Sequence, residues 1–105
     1  MVKELVLSVD EILDYVREKV EVRDILEISY NRIFAPGVVL GIEIGDEVSD
    51  DALLVNLQLN GKILNQTVEL DLDDIKDDLI EVRHITEDEE ILLIVDEADI
   101  DFSHD

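Results

Sequence analysis

Apolar positions Val9, Ile12, Leu13, Val16 and Val20 recur at i, i+3, i+4, i+7 and i+11, the spacing of one face of a helix. Ser8 followed three residues later by Glu11 has the form of a capping box, so the pattern predicts a helix over Val9–Lys19. Upstream, Val2, Leu5 and Val6 would extend the same stripe, whereas Ser8 argues for a fresh start; a short strand over residues 2–7 is the expectation. Within residues 22–34, Leu26, Ile28 and Tyr30 alternate with Glu27 and Ser29, which favours one strand over a second helix. Ala35-Pro36-Gly37 reads as a turn, because Pro presets the first central dihedral and Gly accepts a positive φ. A strand over residues 38–44 and a polar, acidic loop over residues 46–51 follow.

Two β-compatible runs between residues 52 and 70 flank Asn60-Gly61, a pair suited to a two-residue type I′ turn. That turn would set Leu59 opposite Lys62, Leu57 opposite Leu64, Val55 opposite Gln66 and Leu53 opposite Val68. One face of the hairpin is then mostly apolar, while the other carries Asn56, Gln58, Asn65 and Thr67. In residues 71–80, Leu72, Ile75 and Leu79 fall at i, i+3 and i+7 and predict a short acidic helix. Residues 81–86 and 91–95 read as two more strands joined by Glu87-Asp88-Glu89-Glu90. The expected architecture is one α+β domain over residues 1–95. It comprises an antiparallel sheet of about five strands centred on the hairpin, one main helix packed on a face and a short acidic second helix. Residues 96–105 are expected to be an acidic, frayed tail.

Composition changes this picture in two ways. The chain has 105 residues, of which 29 are acidic and 8 basic, for a formal net charge of −21. So large a charge would suggest disorder, yet Leu, Ile, Val and Phe make up 43 of the residues, enough apolar surface for a core. The absence of Cys excludes disulfides, thiolate metal sites and cysteine nucleophiles. Neither a secretory signal nor an uncharged run long enough for a membrane span is legible, so a cytoplasmic location is expected and the Asn65-Gln66-Thr67 sequon carries no glycosylation meaning. Direct binding to nucleic acid or anionic lipid is not expected, since both are held by Lys and Arg.

Motifs for chemistry are weak. Asp96-Glu97-Ala98-Asp99 resembles, in letters, the acidic Walker B strand, but no phosphate cradle of the form Gly-x4-Gly-Lys-Ser/Thr accompanies it. Counting a calcium loop from Asp71, Lys76 stands where Gly is needed and Val82 where Glu is needed. His84, alternating with Val82 and Thr86, reads as a satisfied strand residue in preference to a catalytic base, and His104 lies two residues from the end. No serine occupies a nucleophile elbow. No catalytic residue, metal ligand or cofactor is therefore assigned, and the protein is expected not to be an enzyme.

Charge remains the informative feature, because a net charge of about 2 to 8 already keeps a small domain soluble. Residues 71–105 hold 15 acids against Lys76 and Arg83. Halophilic adaptation and divalent-ion buffering are weaker explanations than a negative surface fitted to a basic groove. In size, charge and lack of catalytic motifs, the chain is similar to the DNA-mimic inhibitors that phages and mobile elements direct at restriction, CRISPR or repair enzymes, a likeness of class without a family signature. The expected function is a non-enzymatic inhibitor or regulator that binds a basic, nucleic-acid-processing protein through Asp71, Asp73, Asp74, Asp77, Asp78, Glu87, Asp88, Glu89 and Glu90. The alternative is an acidic adaptor or assembly protein that binds through an apolar sheet edge, with charge serving solubility; homo-oligomers are compatible with either.

Overall fold

A computed structural model describes residues 2–45, 52–59 and 66–96. Seven strands form one mixed sheet: β1 (Val2–Leu7), β2 (Ile25–Tyr30), β3 (Ile33–Ile44), β4 (Leu53–Leu59), β5 (Thr67–Asp71), β6 (Leu79–Ile85) and β7 (Glu90–Val95). Their order across the sheet is β1-β7-β6-β2-β3-β4-β5. Only β1 and β7 run parallel; every other neighbouring pair is antiparallel.

The single α-helix among the described residues, α1 (Val9–Lys19), has the expected bounds and cap. Glu11 N–H donates to Ser8 Oγ at 3.1 Å and Ser8 N–H to Glu11 Oε1 at 2.9 Å, which satisfies two of the donors that a helix N-terminus leaves unpaired. Ile12, Leu13 and Val16 are buried against the sheet. The helix crosses over β7 and β6 on its way from β1 to β2, and its C-terminal turn returns to the level where β1 begins.

Strand alternation divides the residues into an inner face, which carries the core, and an outer one. Leu26, Ile28, Val55, Leu57, Val82 and Leu93 are inner and fully buried. Outer positions are half-buried or exposed: Ile25, Ile85 and Val38 sit side by side across β2, β6 and β3, and Val6 pairs with Ile94 across β1 and β7.

Several expectations are overturned. The sheet has seven strands where about five were expected, it is mixed, and the hairpin of β4 and β5 forms one edge of it instead of its centre. No second α-helix forms within residues 71–80. Asp71 ends β5, turns follow, and Lys76–Asp78 make one 3-10 turn before β6 starts at Leu79. Here the Asp71 carboxylate accepts the N–H groups of Leu53 at 3.2 Å and Asp73 at 3.0 Å. It competes with helical pairing as Asp side chains do. Leu72 is fully buried, pinning to the core a connection that passes three strands; removing such a side chain costs about 2–5 kcal/mol.

The strand expected within residues 22–34 is two strand segments. β2 ends at Tyr30, and a turn at Asn31, with φ 52°, leads straight into β3; Asn is among the residues that tolerate this left-handed region. Ala35, Pro36 and Gly37 lie inside β3 and not in a turn. Among the described residues Pro36 pairs with β2 alone, because β4 ends with Leu59 opposite Gly37, so it occupies an edge-like position where Pro is tolerated. The hairpin register differs by four residues: Leu57 faces Val68, Val55 faces Leu70, and Leu59 N–H donates to Gln66 O at 2.8 Å. A shift by an even number preserves which side chains face the core, so the apolar face survives the error. Asn60-Gly61, the loop expected over residues 46–51, and residues 97–105 of the expected tail lie outside the described residues.

Gly37 is required for close strand approach, since a Cβ there would stand 2.5 Å from the Gln58 carbonyl oxygen. Gly37→Ala should destabilise the fold by about 2–3 kcal/mol, within the range of overpacking. At Gly41 the nearest atom would be 3.9 Å away, and Gly41→Ala should be neutral within about 0.5 kcal/mol. Urea unfolding of the two variants checks the contrast.

Candidate functional site

The most organised polar group within the core is centred on His84 of β6, which is only 4% exposed. A buried imidazole must find partners for both ring nitrogens. Nε2 lies 2.7 Å from Asp24 Oδ2, and Nδ1 lies 2.8 Å from the Tyr15 hydroxyl. One neutral tautomer satisfies both contacts: Nε2–H donates to the carboxylate, and Nδ1 accepts from the Tyr15 O–H. The Tyr15 and His84 rings meet edge to face, with centroids 5.6 Å apart.

Three separate elements present these groups. Tyr15 comes from α1, His84 from β6 and Asp24 from the tight turn before β2. In that turn Glu21 N–H donates to Asp24 Oδ2 at 2.9 Å, and Asp24 N–H donates back to Glu21 O at 3.0 Å. Arg23 adopts φ 85°, a left-handed conformation unusual for a side-chain-bearing residue. Its N–H donates to Val39 O, and Val39 N–H donates to Asp24 O, both at 2.8 Å, so β3 holds the turn in place. Burial, helped by the negative charges of Glu89 and then Asp24, raises the Tyr15 phenol above its ordinary value.

This string lines a cavity of about 700 Å³. Lys3 of β1, Ile91 of β7 and His84 of β6 form one cross-strand row of its floor. Tyr15 and Lys19, one helical turn apart on α1, cover it. Its lip is the β6–β7 loop of Thr86, Glu87, Asp88 and Glu89. Thr86 Oγ1 shapes that loop, accepting from the N–H groups of Asp88 and Glu89 at 3.2 Å each.

The carboxylates singled out in the sequence fall into two clusters at opposite ends of β6. Asp71 has a structural role at the end of β5, and Asp73 pairs with Lys76 at 3.5 Å. Asp74, Asp77 and Asp78 are exposed in the segment that leads from β5 to β6, Asp77 and Asp78 immediately before β6. Glu87, Asp88 and Glu89 are exposed beyond its end, while Glu90 opens β7 and pairs with Arg83, which also meets Glu27 at 3.5 Å. At about 3.3 Å per residue, β6 holds the two clusters roughly 23 Å apart.

Sequence reasoning missed Asp24, Tyr15, Lys3 and Lys19; its reading of His84 as a satisfied strand residue is borne out by β6 and by the partners of both ring nitrogens. His84 and Tyr15 are 69 positions apart, and His84 and Asp24 are 60, so no local spacing announces the group. Among the described residues, no three acidic, His or Cys side chains converge as a metal site would need. No helix among them is long and apolar enough to cross a membrane.

Fold and site together define a small acidic protein with one mixed sheet, one covering helix and a buried Asp-His-Tyr string opening on a cavity. A family described as an uncharacterized protein conserved in archaea (DUF2097) matches residues 3–94, and the chain belongs to that family. No curated protein and no solved structure matches it.

The raised Tyr15 phenol sets a pH dependence. A phenol that holds its proton more tightly when folded contributes stability that is full below its unfolded value of 10.0 and is lost as pH rises through the folded one. Urea unfolding from about pH 8.5 to 11 should therefore show a decline that Tyr15→Phe reduces. At neutral pH the same variant should cost about 1–2 kcal/mol, because His84 Nδ1 loses its buried donor.

Proposed function

We propose that the protein is a non-enzymatic, cytoplasmic regulator that binds a basic, nucleic-acid-processing protein. The observation that carries this reading is the set of exposed and half-buried apolar positions on the outer sheet face, in a sheet where exposed carboxylates precede and follow β6. Val6 and Phe34 are each 59% exposed there, and Ile25, Val38, Ile85 and Ile94 are half-buried. Asp74, Asp77 and Asp78 flank one strand end and Glu87, Asp88 and Glu89 the other. Apolar contact with a charged rim is the common composition of a protein interface. A partner complementary to this face has an apolar centre and basic margins, a chemistry that proteins built to hold phosphate backbones offer.

This reading modifies charge mimicry. Without a helix over residues 71–80 there is no single rod of negative charge, and the anionic groups act as two ends of one surface. It takes from the adaptor reading the apolar contact, now on the face of the sheet.

The test is capture of proteins from an archaeal host lysate on the immobilised chain, with elution by a salt gradient. Nucleic-acid-binding proteins should be enriched and released by salt. Changing Asp74, Asp77 and Asp78 to Asn should weaken capture by about tenfold and flatten its salt dependence. Phe34→Ser with Val6→Ser should weaken it at every salt concentration while leaving the circular dichroism unchanged. If basic nucleic-acid proteins are not enriched, or if neither set of changes matters, the proposal is wrong.

A further inference from the structure

We propose that the cavity under the C-terminal half of α1 binds a small zwitterion carrying one carboxylate and one ammonium group, a chemistry of the amino-acid kind. The inference concerns the opposite side of the sheet from the apolar outer face, and shares with the proposed function only the carboxylates Glu87, Asp88 and Glu89. It starts from the charges that remain unspent in the cavity. Arg17, Lys76 and Arg83 are taken up by ion pairs with Asp14, Asp73, and Glu27 and Glu90. Lys3 and Lys19 have no ion-pair partner among the described residues, and both line this cavity. In a chain of net charge −21 they bring two free ammonium groups to one place.

The same cavity carries Glu21, Glu87, Asp88 and Glu89 along its margin. An anion alone would be drawn to the lysines but repelled by that lip, and an organic cation alone would meet the reverse. A molecule with one charge of each sign can answer both, and a single-sign competitor is then rejected by the like charge it has to face.

The buried string supplies orientation. Tyr15 lines the cavity, and with its O–H donated to His84 its oxygen keeps acceptor capacity for a ligand there. Asp24 fixes the imidazole, which fixes the phenol, so the acceptor is held in place before a ligand arrives. An ammonium group set between Tyr15 and Glu89 would meet a neutral and a charged acceptor together, leaving the carboxylate for Lys3 and Lys19. The apolar floor of Leu5 and Ile91 suits a short hydrocarbon spacer. A volume of about 700 Å³ lies within the range of small-molecule sites. The charged walls are solvated, so each contact is weak, and dissociation constants of about 1 mM are expected.

The experiment titrates the full chain with ω-amino acids from glycine to 6-aminohexanoate while following the ring resonances of Tyr15 and His84 by NMR. Hexanoate and hexylamine serve as the single-charge controls. At least one zwitterion should shift both rings saturably and bind about tenfold more tightly than either control. Changing Lys3 and Lys19 to Gln should abolish that preference, as should changing Glu87 and Glu89 to Gln, with the rest of the spectrum unchanged in both variants. The proposal is overturned if no zwitterion gives saturable shifts up to about 50 mM. It is equally overturned if hexanoate or hexylamine binds as well, or if the variants bind as the parent does. Loss of partner capture in the outer-face variants would leave these shifts intact, so the two readings fail separately.

Discussion

One helix has to cover a seven-stranded sheet, and it is too narrow to do so. Running back along the strands, α1 spans only its own diameter across them, about 10–12 Å. The sheet, with strands about 4.8 Å apart, measures roughly 29 Å from β1 to β5. The helix accounts for the inner face near β1, β7 and β6, but Leu53, Val55, Leu57 and Leu72 are also fully buried. These residues belong to β4 and to the connection that follows β5. They join the helix residues in one core cluster, so the sheet and its crossing segment bury the remaining inner face between them. A core built in this way is one-sided, and the aliphatic side chains on the reverse of the strands stay half-exposed.

The buried string belongs to the same arrangement. Where the C-terminal half of α1 lies over β6, the inner position is His84 instead of an aliphatic residue. Each hydrogen bond there contributes only about 1 kcal/mol net, whereas leaving either ring nitrogen unpaired in the core costs about 1–3 kcal/mol. The network therefore matters less as a source of stability than as a condition on geometry: α1, β6 and the turn before β2 can pack only where Tyr15 and Asp24 reach the ring. Arg23 fits this view. A left-handed, non-glycine residue carries a local cost of about 1–3 kcal/mol, and the two backbone bonds to Val39 hold it there, next to Asp24.

What could be read from the sequence follows the range of the forces concerned. The helix over Val9–Lys19 was legible because its apolar period and its Ser8–Glu11 cap lie within a few residues of one another. The inward set Leu53, Val55 and Leu57 was legible from alternation, and it survived a wrong register because the shift was even. Ala35-Pro36-Gly37 misled because its turn propensity is local, whereas the reason for Gly37 is the carbonyl of Gln58, more than twenty positions away. Residues 71–80 misled because Leu72, Ile75 and Leu79 have helical spacing for a different cause: Leu72 plugs the core, and Leu79 opens a strand. Of the candidate site, the carboxylates were visible as composition. The string was not, since its three members meet only after the sheet has formed.

The separation of the acidic clusters decides what the charge can do. Roughly 23 Å of strand lies between them, against a screening length of about 8 Å at physiological ionic strength. Each cluster is therefore felt separately by an approaching partner. Between them Arg83 is shared by Glu27 and Glu90, which leaves that part of the outer face negative as well. Under the proposed function, the charges steer and align the partner while the aliphatic positions of the sheet supply the lasting contact. Such a face also discourages the stacking of one copy on another, since carboxylates on one copy would meet their like on the other. A partner with two basic margins set at the same spacing escapes that penalty, and the distance between the margins, more than the total of −21, is what the surface selects.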